Sequence, residues 1–110
     1  MKAVLFFVLI SQSIAAFSQD YPSRPVRLLV GFPPGGAMDS VARVIAPKLG
    51  ASLGQQFVVD NRPGAAGAIA AGALVASPAD GYALLLAESG ALIVPAVNSK
   101  AGYDPVKQFA

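Results

Sequence analysis

The chain has no cysteine and no histidine, and only 13% of its 110 residues carry charge. Without cysteine it cannot be a disulfide-stapled scaffold, so its fold must rest on apolar packing. Without either residue, zinc sites of the usual kind, Ser-His-Asp and Cys-His nucleophile systems, and haem ligation by histidine are all excluded. Lys and Arg are scattered rather than clustered, which gives no reason to expect a nucleic-acid partner. Neither G-x-G-x-x-G nor G-x-x-x-x-G-K-[ST] occurs, so no nucleotide fingerprint is present.

What is present begins with a leader. Lys2 supplies a positive start, Ala3 to Ile10 is an unbroken apolar run, and Ser11 to Ser18 turns small and polar. Ser13-Ile14-Ala15 and Ala16-Phe17-Ser18 are candidate cleavage sites. This pattern reads as a secretory signal peptide over residues 1–18. Its apolar run is too short to span a bilayer, which takes about 20 residues. Removal leaves roughly 92 residues, enough for a modest core. Without Lys2 the 8 basic residues become 7 against 6 acids, a net charge of about +1. Export places the mature chain in the periplasm.

The rest alternates between strand and helix patterns. Tyr21-Pro22-Ser23-Arg24-Pro25 is a stiff, extended lead-in, since each proline restricts its predecessor. Val26 to Gly31 reads as a strand covered on both faces. A helix is expected from about Met38 to Ser52, with Val41, Ile45 and Leu49 recurring at helical spacing and Ala42 and Ala46 beside them. Pro47 should kink it and Gly54 should stop it. Gln56 to Asp60 reads as the second strand, Ala68 to Ala76 as a small-residue helix, and Tyr82 to Ala87 as the third strand. A short helical piece, Ala91 to Val97, should break at Pro95. This βαβαβ order predicts an α/β fold, a three-layer arrangement around a parallel sheet with right-handed crossovers.

Ligands of such sheets sit beyond the carboxyl ends of the strands. Three glycine-containing turns follow strands here: Pro33-Pro34-Gly35-Gly36, Gly64-Ala65-Ala66-Gly67 and Glu88-Ser89-Gly90. They should share one edge of the sheet. Paired glycines and free N–H groups at helix starts make a candidate anion cradle. The plainer reading is that these turns only reverse the chain or let helices pack closely. Asp39, in the first helical turn, is expected to brace that turn or favour the helix dipole, with a general base as the rival reading. Arg43 lies one turn further on, placed for a local pair with Asp39. Arg62 adds positive charge at the second turn or is a surface residue. Glu88 and Ser89 are ligand contacts or solvated turn residues. No catalytic residue, metal ligand or cofactor site is assigned.

Several segments, in order, resemble one family. They are Tyr21-Pro22-Ser23-Arg24-Pro25-Val26-Arg27-Leu28-Leu29-Val30, then Phe32-Pro33-Pro34-Gly35-Gly36 with Asp39, then Leu53-Gly54-Gln55. Val58-Val59-Asp60-Asn61-Arg62-Pro63-Gly64-Ala65, Pro78-Ala79-Asp80-Gly81-Tyr82 and Tyr103-Asp104-Pro105-Val106-Lys107 complete the set. The chain resembles the Bug/TctC family, extracytoplasmic solute receptors of tripartite tricarboxylate transport systems. The resemblance implies a type II periplasmic-binding-protein fold of two α/β lobes closing on a small carboxylate, with no enzymatic activity. It implies delivery to a membrane permease of that transport system, or to a sensor protein. Carried over, Phe32, Pro33, Pro34, Gly35, Gly36 and Asp39 form the ligand turn, and Gly64, Ala65, Gly67, Ser89 and Gly90 border the cleft.

The sequence departs from the family pattern at Gly31, where proline is usual, and at Ala37-Met38, where a hydroxyl or amide residue is usual at the second position. Ala66 stands where a second glycine is frequent, and Gln108 where aspartate is frequent. Residues 19–110 are expected to form part of the first lobe, without the second lobe. That part should bind no carboxylate tightly. The rival functions are an interaction or sensor module without a transport role, and a phosphate-handling hydrolase built on Asp39.

Overall fold

The computed structural model describes residues 20–109, so the expected signal peptide lies outside the described residues. Its elements are β1 (Val26–Val30), α1 (Ala37–Leu53), β2 (Phe57–Asn61), a 3-10 turn (Ala65–Gly67), α2 (Ala68–Val75), β3 (Ala83–Leu86), α3 (Gly90–Val97) and α4 (Pro105–Gln108). The three strands form one parallel sheet in the order β2-β1-β3. The chain therefore crosses from β1 to β2 by α1, then back over β1 to β3 by α2.

The pleat of β1 explains the layers. Val26, Leu28 and Val30 point to one face and pack with Phe57 against Ala42 and Ala46 of α1. Leu29, also fully buried, belongs to the opposite face. There Ala68 and Ala71 of α2 pack with Leu85 and Tyr103, and Val94 of α3 joins them. Helices thus cover both faces of a central strand that is apolar throughout except for Arg27. Small residues line both helix contacts, which lets each helix lie close to the sheet.

The helix faces differ from the sequence expectation. The buried seam of α1 runs through Asp39, Ala42 and Ala46, with Met38 and Leu49 packed beside it. Val41 is exposed, as are Val44 and Leu53. The bulky residues set the apparent apolar row, but the alanines permit the closer approach to β1 and win the interface. Pro47 does not end α1, which continues to Leu53. Pro47 lies on the exposed side of the helix, where water can satisfy the carbonyl that it leaves without a donor. Nor does Pro95 break α3. Gly54 stops α1 as expected, with a left-handed φ of 77° and its N–H on the Gly50 carbonyl.

The last element, α4, was not anticipated. Asp104 caps it, accepting from the N–H groups of Val106 and Lys107 at 3.0 and 3.2 Å, with Pro105 in the first helical position. The Tyr103 hydroxyl donates to the Ala91 carbonyl at 2.8 Å, which ties this segment to the start of α3.

Candidate functional site

Register places the three turns together. Val30 of β1 lies opposite both Asn61 of β2 and Leu86 of β3. The strands are parallel, so all three leave the sheet at the same edge. The turns that follow are in contact. A β-carbon on Gly31 would stand 2.7 Å from the Gly67 Cα, and one on Gly90 would stand 2.8 Å from the Ala66 carbonyl oxygen. Only residues without a side chain allow the turns to meet this closely.

The first turn is built around Asp39. Asp39 is 3% exposed. One carboxylate oxygen accepts from the Gly35 N–H at 2.9 Å and from Arg43 Nε at 2.8 Å. The other accepts from Asn61 Nδ2 at 2.9 Å. The same Asn61 amide also donates to the Phe32 carbonyl at 3.1 Å. Arg43, then Gly35 and Asn61, hold the Asp39 carboxyl down to a pKa of about 2. A group this acidic, with both oxygens taken, is a poor general base near neutral pH. Asp39 is therefore a brace. Asn61 is its long-range partner, and nothing in its local sequence pattern marked it for that role.

The brace decides which donors are open. The Gly35 N–H is turned inward, and the Gly36 N–H reaches the Pro33 carbonyl at 3.3 Å. Gly35 has a φ of 87°, a value that glycine accepts without strain. Gly36 is extended at φ −79°, ψ 178°, and no side chain caps α1. The first-turn N–H groups beyond Gly36, those of Ala37, Met38 and Asp39, have no intrahelical acceptor, since the first such bond runs from the Ser40 N–H to the Gly36 carbonyl at 2.9 Å. Met38, half-buried, packs its side chain against the core, so it offers the site its backbone alone. Pro33 and Pro34 are exposed.

The second turn is left-handed. Gly64, Ala65, Ala66 and Gly67 have φ of 124°, 49°, 51° and 89°. Two alanines in that region are strained by roughly 1–2 kcal/mol each. Ala66→Gly is accordingly expected to raise stability by up to about 1 kcal/mol, because strain relief outweighs the added freedom of the unfolded chain. Urea unfolding at neutral pH checks this. Arg62 beside the turn donates twice to Asp60, at 3.0 and 3.2 Å, so its charge is compensated.

The third turn enters α3 at Ser89 and Gly90, where Ser89 makes no side-chain cap. A narrow crevice lies between the turns, lined by Phe32, Ala66, Gly67, Leu86, Glu88 and Ala91 among others. A much wider open groove, about 800 Å³, runs between α1 and β2 past Pro47, Gly50, Gln56 and Val58. It lies beside the sheet and not at the edge where the turns meet. Its Arg43 is already engaged by Asp39.

Comparison with known proteins supplies the family. A model of the "Tripartite tricarboxylate transporter family receptor", TctC, matches residues 41–110. The periplasmic binding protein BugD is 39% identical with a TM-score of 0.73, over 77% of this chain and 28% of BugD. The Rhodopseudomonas palustris protein Rpa4515, solved with adipate, is 42% identical with a TM-score of 0.69, over 78% of this chain and 29% of that one. MatC from Rhodopseudomonas palustris, solved with bound malate, is 34% identical with a TM-score of 0.74, over 80% of this chain and 30% of MatC. The chain spans between 26% and 31% of the length of the curated relatives that it matches. It forms part of a periplasmic-binding-protein α/β fold, and its relatives are receptors rather than enzymes. The chain belongs to the tripartite tricarboxylate transporter receptor family.

Proposed function

We propose that the chain supplies one wall of a carboxylate-binding site in a solute receptor exported to the periplasm. Residues 1–18 serve as its signal peptide, and residues 19–110 form part of the first lobe. The receptor hands its ligand to a membrane permease of the tripartite tricarboxylate type. The observation that carries this reading is the meeting of three turns at the carboxyl edge of the sheet, with no side chain capping the helix starts that follow them. Malate in MatC and adipate in Rpa4515 point to small dicarboxylates as the ligand class.

The donors follow from the geometry. Phe32, Pro33, Pro34, Gly35 and Gly36 shape the first turn, and Asp39 locks it. The N–H groups of Ala37 and Met38 then face the ligand, joined by those of Ala65 and Ala66 in the second turn and Ser89 and Gly90 in the third, while Gly64 and Gly67 shape the second turn by closing it on each other, Gly67 N–H to Gly64 carbonyl at 3.1 Å. Helix starts stabilise an anion through oriented dipoles, without a buried cation. An edge this open to water is screened, so affinity for malate or adipate is expected near the millimolar range, about −4 kcal/mol.

Ala37→Pro tests the role of the backbone. Proline suits the first helical position, and the extended Gly36 before it tolerates proline. The substitution removes one N–H and leaves α1 intact. Malate affinity, followed by amide shifts in NMR, is expected to fall about fivefold with an unchanged helix signal in circular dichroism. Unchanged affinity contradicts the assignment of that donor.

A further inference from the structure

We propose that Glu88 is a specificity-determining residue, selecting carboxylates that also carry an ammonium group over those that carry none. This rests on the carboxylate-receptor reading above. The charges around the turns are otherwise balanced. Arg43 is paired with Asp39, and Arg62 with Asp60. Glu88 lines the crevice between the three turns. Among the described residues it has neither a hydrogen-bond nor an ion-pair partner for its side chain, so the turns carry one uncompensated negative charge.

That charge opposes the function of the N–H groups around it. A fully anionic ligand seated on those donors is repelled by Glu88, and nothing cationic in the turns offsets the repulsion. A ligand with an ammonium group on the carbon next to a carboxylate behaves differently. Its carboxylate takes the backbone donors while its ammonium faces Glu88. The α3 N-terminus explains why an acid is tolerated at this position. It does not supply a cation, so the preference for an ammonium group survives. An exposed pair of this kind has a modest effect, about fourfold in affinity.

The matched series L-aspartate, L-malate and succinate isolates the effect, because the three differ mainly at one carbon. Each is titrated into the isotope-labelled chain and into Glu88→Gln, with amide shifts as the readout. The expected result is that the wild type binds aspartate about fourfold more tightly than succinate, and that Glu88→Gln brings the ratio near one. The variant should weaken aspartate and strengthen succinate. Equal binding of the three by the wild type, or a ratio that survives Glu88→Gln, overturns this proposal and leaves the receptor reading standing. No binding of any of them overturns both.

Discussion

Gly31→Val is expected to destabilise the chain by about 3 kcal/mol and to push the first two turns apart. Even a single β-carbon at this position would stand 2.7 Å from the Gly67 Cα and 3.5 Å from the Ala70 β-carbon. The nearest obstacle is backbone, so no rotamer change relieves the clash. Valine adds two methyl groups to it. Overpacking of this kind costs about 1–3 kcal/mol, and the absence of an escape route puts valine at the upper end. Because Gly31 directly follows β1 and Gly67 directly precedes α2, the strain falls on the candidate site itself. Equilibrium unfolding in urea gives the loss directly. A midpoint within error of the parent chain would mean that the two turns do not touch.

The second large effect is acid-dependent. Asp39→Asn places an amide where three donors converge, so at least one donor loses its acceptor. The folded pKa of about 2 lies below the ordinary carboxyl value of 3.8. The stabilisation from the charged form is therefore fully present above about pH 4. As pH falls, the unfolded chain takes up its proton first, and the contribution is lost by about pH 2. The stability gap between the parent chain and Asp39→Asn should be constant near neutral pH and should close between pH 4 and pH 2. Urea midpoints measured across that range check it. A gap independent of pH would show that the charge of Asp39 does not hold the turn. Faster exchange of the Gly35 amide in the variant is the local counterpart.

Much of this was legible in the sequence because it depended on local chemistry. The apolar run at Val26–Val30 and the helix stop at Gly54 each follow from a few adjacent residues. Once three strands and two helices alternate, a parallel sheet and a shared carboxyl edge follow from handedness alone. The brace role of Asp39 and its pairing with Arg43 were also legible, because a helix brings residues four apart together.

What the sequence hid depends on distance or on exposure. Asn61 reaches Asp39 across 22 positions of the chain, and no local rule predicts that contact. The rotation of α1 was misread because Val41 is more apolar than Ala42, while close approach to β1 rewards the smaller residue. Pro47 sits inside a helix that runs on to Leu53, because on its exposed side water can serve the carbonyl that it leaves without a donor. The left-handed conformation of Ala65 and Ala66 contradicts the ordinary preference of alanine. It lies between two glycines of positive φ, Gly64 and Gly67, with Gly90 close against the Ala66 carbonyl. Met38 is turned to the core by its apolar side chain, where an amide or hydroxyl would have stayed at the turn.

The central claim is that backbone N–H groups of three turns receive a carboxylate. Amide chemical-shift mapping with malate on the isotope-labelled chain tests it most directly. The predicted result is a saturable shift confined to Ala37, Met38, Ala65, Ala66, Ser89 and Gly90, with the amide of Gly35 unmoved because Asp39 already holds it. Saturable shifts centred on the groove between α1 and β2, at Gly50, Gln56 and Val58, would contradict the account.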